Sequence, residues 1–125
     1  MGRERILSDA APPPGGPYSQ AIRVGDLLFL AGQGPFDEGG NFVGGSVAEQ
    51  TRRTLTNLDA VARAAGSSLA QAVRVGVYLS SLEHFGEMNG VYAEFFADPL
   101  PARTTIQSDL VGFDVEIDAV VWLGD

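Results

Sequence analysis

Two strand-like runs near the end of the chain constrain the fold most. The first, residues 102–107, follows Pro101, whose ring fixes the backbone and holds the preceding chain extended. The second, residues 115–122, alternates apolar and polar residues with period 2, which is typical of a strand with one more polar face. The pattern predicts two successive strands, with Arg103 on the first and Glu116 on the polar face of the second.

The spacing of Arg103 and Glu116 leaves two interpretations open. Two strands joined by residues 109–114 can bring the guanidinium and the carboxylate close together, and an ion pair across a sheet is an ordinary structural contact. The same pair could instead serve a functional site. Spacing alone does not decide between a structural and a functional role.

The sequence pattern predicts four further strands and two helices before these two strands. A capping box of Ser46 and Glu49 begins the first helix, and Gly66 suits its C-terminal cap. The proline-rich residues 10–17 can form neither a helix nor a central strand, so we expect an extended surface segment that delivers Tyr18 to a defined place. The predicted elements are a strand at residues 6–8, a hairpin of residues 18–24 and 27–33, helices at 46–66 and 81–98, and a strand at 73–79.

This order predicts an α+β domain in which a single mixed β-sheet carries two α-helices on one face. We expect residues 1–125 to form one such domain. The other sheet face has no predicted cover, and large apolar patches are rarely left to water, so the chain should self-associate. The residues expected to contribute to the uncovered face are Leu28, Leu30, Val75, Val77, Ile106 and Val121.

Composition and charge exclude several classes of function. The formal net charge is −8, and every basic residue is an arginine, so lysine Schiff-base chemistry is excluded. An acidic chain without a basic cluster is a poor candidate for nucleic-acid binding. The absence of cysteine excludes disulfides, thiolate nucleophiles and cysteine-ligated metals.

Metal and membrane sites are also not expected. The one histidine, His84, has no accompanying carboxylate cluster at metal-ligand spacing. The apolar runs are too short to span a bilayer, and the N-terminal residues form no apolar signal segment. We therefore expect a cytoplasmic protein with no membrane partner.

Asn89 falls on the apolar row of the second predicted helix, with Phe85, Tyr92 and Phe96, so its amide should point inward. A buried amide needs hydrogen-bond partners. Its partner could be a neighbouring loop, which would make the contact structural, or a bound ligand.

Several separated motifs occur together in one order along the chain. They are residues 15–20 (GGPYSQ), 30–35 (LAGQGP), 88–96 (MNGVYAEFF), 101–105 (PARTT) and 115–119 (VEIDA). Together they resemble the RidA/YjgF family, also called the L-PSP endoribonuclease-like family, and the resemblance extends from about Ser8 to Trp122.

The resemblance implies a chorismate-mutase-like (Rid) fold assembled as a homotrimer, with three clefts between subunits. It also implies an enamine/imine deaminase, a hydrolase acting on C–N bonds similar to 2-iminobutanoate/2-iminopropanoate deaminase. Such an enzyme converts the reactive 2-aminoacrylate and 2-imino acids released by pyridoxal-phosphate enzymes into 2-oxo acids and ammonium. It uses no cofactor.

The resemblance also implies roles for individual residues. Arg103 matches the carboxylate-binding position, and Glu116 matches the position proposed to place water and shuttle its proton; both are expected to be catalytic. The residues expected to line the substrate cleft with Arg103 are Tyr18, Gly32, Asn89 and Thr105. No metal is implied.

Three departures from the family pattern bear on substrate range. Ala31 stands where well-studied deaminases often have serine, and Thr105 replaces a common cysteine. The loop at residues 97–100, which borders the cleft, is shorter than in many relatives. The cleft therefore lacks one hydroxyl and one thiol that relatives offer.

Three other functions are weighed against the hydrolase. A non-catalytic module could use the same Arg103 to bind 2-oxo acids or other small carboxylates as a sensor or regulator. Family members have also been called endoribonucleases and chaperones, but a lysine-free chain of net charge −8 without interleaved basic and aromatic residues argues against RNA recognition.

Overall fold

The computed structural model describes residues 2–124, in which two α-helices pack on one face of a six-stranded sheet. The predicted α+β class, mixed sheet and order of elements are confirmed. The strands are β1 Glu4–Ile6, β2 Ala21–Val24, β3 Leu27–Gln33, β4 Ala72–Leu79, β5 Ala102–Gln107 and β6 Val115–Trp122; the helices are α1 Val47–Ala64 and α2 Phe85–Tyr92, and short 3-10 turns occupy Leu69–Gln71 and Leu82–His84.

The last strand of the chain lies inside the sheet. The strand order is β1-β2-β3-β6-β4-β5, and β6 pairs antiparallel with both β3 and β4. Among the described strands only the β4–β5 pair is parallel. As the last strand in this order, β5 occupies one edge of the sheet. The two successive strands that carry Arg103 and Glu116 are therefore not neighbours, because β4 lies between them.

The first helix begins as its sequence predicts. The Ser46 side chain accepts a hydrogen bond from the Glu49 amide at 3.1 Å, and the Glu49 carboxylate accepts one from the Ser46 amide at 2.9 Å. Gly66 follows the helix with a φ of 85°, the left-handed conformation that glycine adopts without strain. The buried face of α1 packs on the sheet through Leu55, Leu58 and Val61.

Two predicted boundaries are wrong. The first strand ends at Ile6, because the amide of the next polar residue, Ser8, donates to the Gln20 side chain and leaves the sheet. The second helix does not continue from residue 81 to residue 98: α2 is eight residues long. Beyond it the chain makes bonds spanning three residues, such as that from the Glu94 amide to the Val91 carbonyl at 3.0 Å, which are turns and not α-helix.

The uncovered sheet face was assigned to the wrong set of residues. Leu28, Leu30, Val75, Val77 and Val121 lie under the helices and are buried, and of the predicted set only Ile106 lies on the open face. In β3 the side chains that point to either face of the sheet are apolar, so alternation does not reveal which of them the helices cover. A shift of one residue in register would exchange the two faces. The open face instead carries Leu27, Phe29, Ile106, Val120 and Trp122.

The open face leaves large apolar side chains in water in the single chain: Phe29 is 47% exposed, Ile106 45% and Trp122 41%. Several large exposed apolar side chains on one sheet face are typical of an interface. The expected homotrimer stays a prediction. In the described part of the chain no helix is long and apolar enough to cross a membrane.

We predict that Phe29→Glu dissociates the assembly, because it places a charge in the centre of the apolar face at a cost of about 2 kcal/mol or more per copy. Sedimentation of the wild type and the variant measures this. Val111→Glu is the matched control, since Val111 is 93% exposed in a loop. A wild type that sediments as a monomer would contradict the prediction.

Candidate active site

One buried amide side chain holds the proline-rich segment in place. Gln20 is 2% exposed; its Oε1 accepts from the Ser8 amide at 2.7 Å, and its Nε2 donates to the Ser8 carbonyl at 3.1 Å and the Pro12 carbonyl at 2.8 Å. The Tyr18 hydroxyl accepts from the Gly15 amide at 3.1 Å. The segment that the sequence shows to be neither helix nor strand is thereby fixed against β2, and Tyr18 lies at a defined place.

A first cleft of about 320 Å³ opens beneath this segment. Its walls include Pro13, Tyr18, Gly32, Phe113 and Glu116. Three of the predicted site residues, Tyr18, Gly32 and Glu116, therefore share one cleft. Phe113 was not predicted; it precedes β6 in a stretch whose sequence shows no periodicity.

Gly32 gives the Glu116 carboxylate its space. The pairing of β3 with β6 shifts register between Leu30 and Gln33, which places Gly32 in a bulge. A Cβ atom at Gly32 would lie 2.5 Å from Oε2 of Glu116. Any larger residue there would have to displace the carboxylate.

The Glu116 carboxyl is half-buried on the open face of the sheet. Burial raises its pKa, and the nearby Asp118 carboxylate raises it further. Both effects disfavour the charged form, so Glu116 is a better proton acceptor than an exposed glutamate.

A second cleft, of about 360 Å³, lies at the edge of the sheet around Arg103. The Arg103 Nη1 donates to Oδ1 of Asn89 at 2.8 Å. Its guanidinium carbon lies 4.6 Å from the ring centroid of Tyr92 and 5.5 Å from that of Phe85. The amide and the two rings orient the guanidinium, and Asn89 bonds to a charged strand residue instead of a loop.

Two hydroxyls near Arg103 are buried without a hydrogen-bond partner in the described part of the chain, those of Tyr92 and Thr105. Thr105 lies two residues beyond Arg103 on the same side of β5. Burial raises the pKa of Tyr92, so its hydroxyl stays neutral. The sequence placed Tyr92 on an apolar helical row, and only the helix register with Asn89 hinted at its position beside the site.

One chain does not bring the predicted site residues together. Asn89, Arg103 and Thr105 lie on the helix-covered side of the sheet, whereas Glu116 lies on the open face. The predicted alternative of an Arg103–Glu116 ion pair is therefore wrong, since β4 and the thickness of the sheet separate the two groups. A site that uses both residues needs a second copy of the chain.

Within residues 2–124 no group of three or more metal-ligating side chains is arranged to hold a metal ion. The His84 imidazole has one carboxylate nearby, with 3.9 Å between its Nε2 and Oδ1 of Asp114. The Asp114 carboxylate accepts from the Ser80 hydroxyl at 2.7 Å and from the Gln50 amide at 2.9 Å, so it anchors the start of β6.

A family model described as Endoribonuclease L-PSP matches residues 8–123. The chain belongs to this family, the RidA/YjgF or Rid family. A RutC family protein of Pyrococcus abyssi is 44% identical over 125 residues, covering 98% of each chain.

Solved Rid-family structures share the fold. RidA from an Antarctic Psychrobacter species has a TM-score of 0.89 and 33% identity, covering 95% of this chain and 98% of that one. Escherichia coli TdcF, solved with bound serine, has a TM-score of 0.87 and 29% identity with the same coverage. A Schizosaccharomyces pombe relative, 44% identical over 111 residues (85% of this chain, 87% of that one), is named a mitochondrial protein, so the cytoplasmic location stays a prediction.

We predict that Gln20→Ala lowers the free energy of unfolding by about 2 kcal/mol, because several partly buried hydrogen bonds are lost together. It should also release the proline-rich segment, so the Ser8 and Tyr18 amides exchange faster with deuterium. Denaturant unfolding and amide exchange measure the two effects. Gln71→Ala, an exposed glutamine in a 3-10 turn, is the control, and equal effects of both changes would contradict the anchoring role.

Proposed function

We propose that the protein is an enamine/imine deaminase that hydrolyses 2-aminoacrylate and 2-imino acids to 2-oxo acids and ammonium. The observation that carries the proposal is that two groups with complementary roles, a guanidinium and a carboxyl, lie in two separate clefts of one chain. Each cleft with its group is called a half-site here. An oriented Arg103 lines one cleft, and a half-buried Glu116 lines the other. We further propose that a homotrimer joins the two half-sites of neighbouring copies into one cleft.

Arg103 would bind the substrate carboxylate. Asn89 occupies one Nη1 donor, and a guanidinium has five N–H groups, so donors remain for two parallel bonds to a planar carboxylate. The rings of Tyr92 and Phe85 pack against the guanidinium and restrict its motion, which lowers the entropy lost on binding. Bound serine in TdcF supports this role, because an amino acid has the same α-carboxylate.

Glu116 would move the proton. Water adds to the imine carbon while Glu116 accepts one of its protons and transfers that proton to the nitrogen, which gives a carbinolamine. Glu116 then moves the proton of the new hydroxyl group to the amino nitrogen, and the carbon–nitrogen bond breaks to give the 2-oxo acid and ammonia, which takes a proton from water to become ammonium. The half-buried carboxylate, with its raised pKa, suits proton acceptance near neutral pH. This reaction uses water and a proton shuttle and needs no cofactor.

The remaining predicted residues would shape the cleft. Tyr18, fixed through the Gln20 anchor, closes one side, and Gly32 leaves room for the carboxylate and a water beside it. The unpartnered hydroxyl of Thr105 is a donor for the ligand on the side of Arg103.

A carboxylate-binding module is the second candidate, favoured by the same oriented Arg103 and by the serine bound to TdcF. Binding without turnover would leave the spontaneous rate of imine hydrolysis unchanged. The description Endoribonuclease L-PSP suggests a third activity, but a net charge of −8 without lysine opposes binding to a phosphate backbone.

We predict that the wild type lowers the fraction of imino acid trapped by semicarbazide when an L-amino-acid oxidase supplies the substrate. Arg103→Ala should reduce kcat/KM by about 100-fold, because a charge-assisted two-point contact is lost, and Arg103→Lys should retain part of it. Glu116→Gln should reduce kcat by about 100-fold or more. Arg3→Ala, an exposed arginine before β1, is the matched control.

Calorimetry with a 2-oxo acid, combined with the trapping assay, separates the two candidates. A hydrolase loses affinity in Arg103→Ala and keeps most of it in Glu116→Gln while losing turnover. If the wild type binds the 2-oxo acid but leaves semicarbazide trapping unchanged for several amino acids, the hydrolase proposal fails and the binding module replaces it.

A further inference from the structure

The open face of the sheet carries a phenol and a second carboxylate beside Glu116. In the antiparallel pairing of β4 with β6, Tyr78 lies directly opposite Glu116. Asp118 follows Glu116 by two residues on β6 and therefore points to the same face. The hydrolytic mechanism described above assigns neither of these two residues a role.

A glycine allows the phenol and the second carboxylate to meet. Gly76 lies opposite Asp118, and a Cβ atom there would lie 2.5 Å from Oδ1 of Asp118 and 3.0 Å from the Tyr78 hydroxyl. Because no side chain fills this position, Tyr78 reaches diagonally across the strands. Its hydroxyl donates to Oδ2 of Asp118 at 2.8 Å.

This bond fixes a negative charge on the face of Glu116. The phenol donates and a carboxylate oxygen of Asp118 accepts, so the Asp118 group is held in place on the open face. From the other elements around Glu116, β3 presents Gly32 and the proline-rich segment presents Tyr18. Arg74, the cation on the same face of β4, donates to the Thr104 hydroxyl at 3.1 Å and so extends toward the β5 edge.

We propose that Asp118, held by Tyr78, is a positioning residue that acts through Glu116 and keeps its carboxylate a strong proton acceptor. The inference rests on the proposed hydrolase function. Asp118 does not need to touch the substrate, because its charge acts along β6 on the neighbouring carboxylate.

The directions of the pKa shifts agree with this geometry. Burial is the larger cause of the raised pKa of Glu116, and the negative charge of Asp118 raises this pKa further. The hydrogen bond to Asp118 is the main cause of the raised pKa of Tyr78, so the phenol remains a donor at neutral pH. A carboxylate base works only above its own pKa, so the rate falls as the pH drops below the pKa of Glu116; this fall is the acid limb of the rate profile. The Asp118 charge places the acid limb at higher pH, and removing that charge moves the acid limb to lower pH.

Asp118→Asn tests the inference with little change of shape, since an asparagine oxygen still accepts from the Tyr78 hydroxyl. Two quantities are measured on the full chain. One is the dependence of kcat/KM on pH, and the other is the NMR titration of the Glu116 carboxyl carbon. We expect both to move to lower pH, and kcat/KM on the neutral plateau to fall about threefold, because a weaker base accepts a proton less readily. Tyr78→Phe, which removes only the donor, should produce a smaller shift in the same direction.

Asp26→Asn is the matched control. It removes one exposed negative charge next to Leu27, at the end of β3 remote from Gln33, which pairs beside Glu116. The inference is overturned if Asp118→Asn shifts the acid limb and the Glu116 titration no further than Asp26→Asn does. A shifted Glu116 titration supports the coupling even where the wild type hydrolyses no imino acid, and that lack of turnover would overturn the proposed hydrolase function instead.

Discussion

The two-sided pairing of β6 is the interaction on which the rest of the structure depends. This strand joins the β1–β2–β3 half of the sheet to the β4–β5 half, and its alternating side chains serve both faces. On one face it supplies Val115, Ile117 and Val121 to the core beneath the helices. On the other it presents Glu116 and Asp118, so one strand both closes the core and carries the carboxyl group proposed to transfer the proton.

The covered and open faces divide the chemistry of the proposed site. The edge strand β5 places Arg103 against α2, where an amide and two aromatic rings restrain the guanidinium. Glu116 lies in the sheet interior on the open face, where burial and a neighbouring charge alter its proton affinity. The groups proposed for carboxylate binding and for proton transfer thus lie in different local environments, on opposite faces of the sheet.

The sequence predicted the kinds of elements well because local signals decide them. The Ser46–Glu49 capping box and the alternation of residues 115–122 each specify structure within a few residues. Strand order and the choice of covered face are not local: Leu28 and Phe29 are equally apolar neighbours, and only pairing with β6 decides which one the helices bury. For the same reason the two clefts could not be assigned to two faces from spacing. Tyr78 and Phe113 gave no signal in the sequence, and Tyr92 gave only its helical register with Asn89.

The placement of Arg103 and Glu116 on opposite faces has a genetic consequence for any assembly that joins the half-sites. A chain that lacks only the arginine still offers an intact glutamate half-site, and a chain that lacks only the glutamate offers the converse. A mixed assembly of these two inactive chains would contain some clefts in which one chain supplies the intact arginine and the other supplies the intact glutamate. Two alleles defective at these positions would therefore complement each other in one cell, whereas two alleles defective at the same position would not.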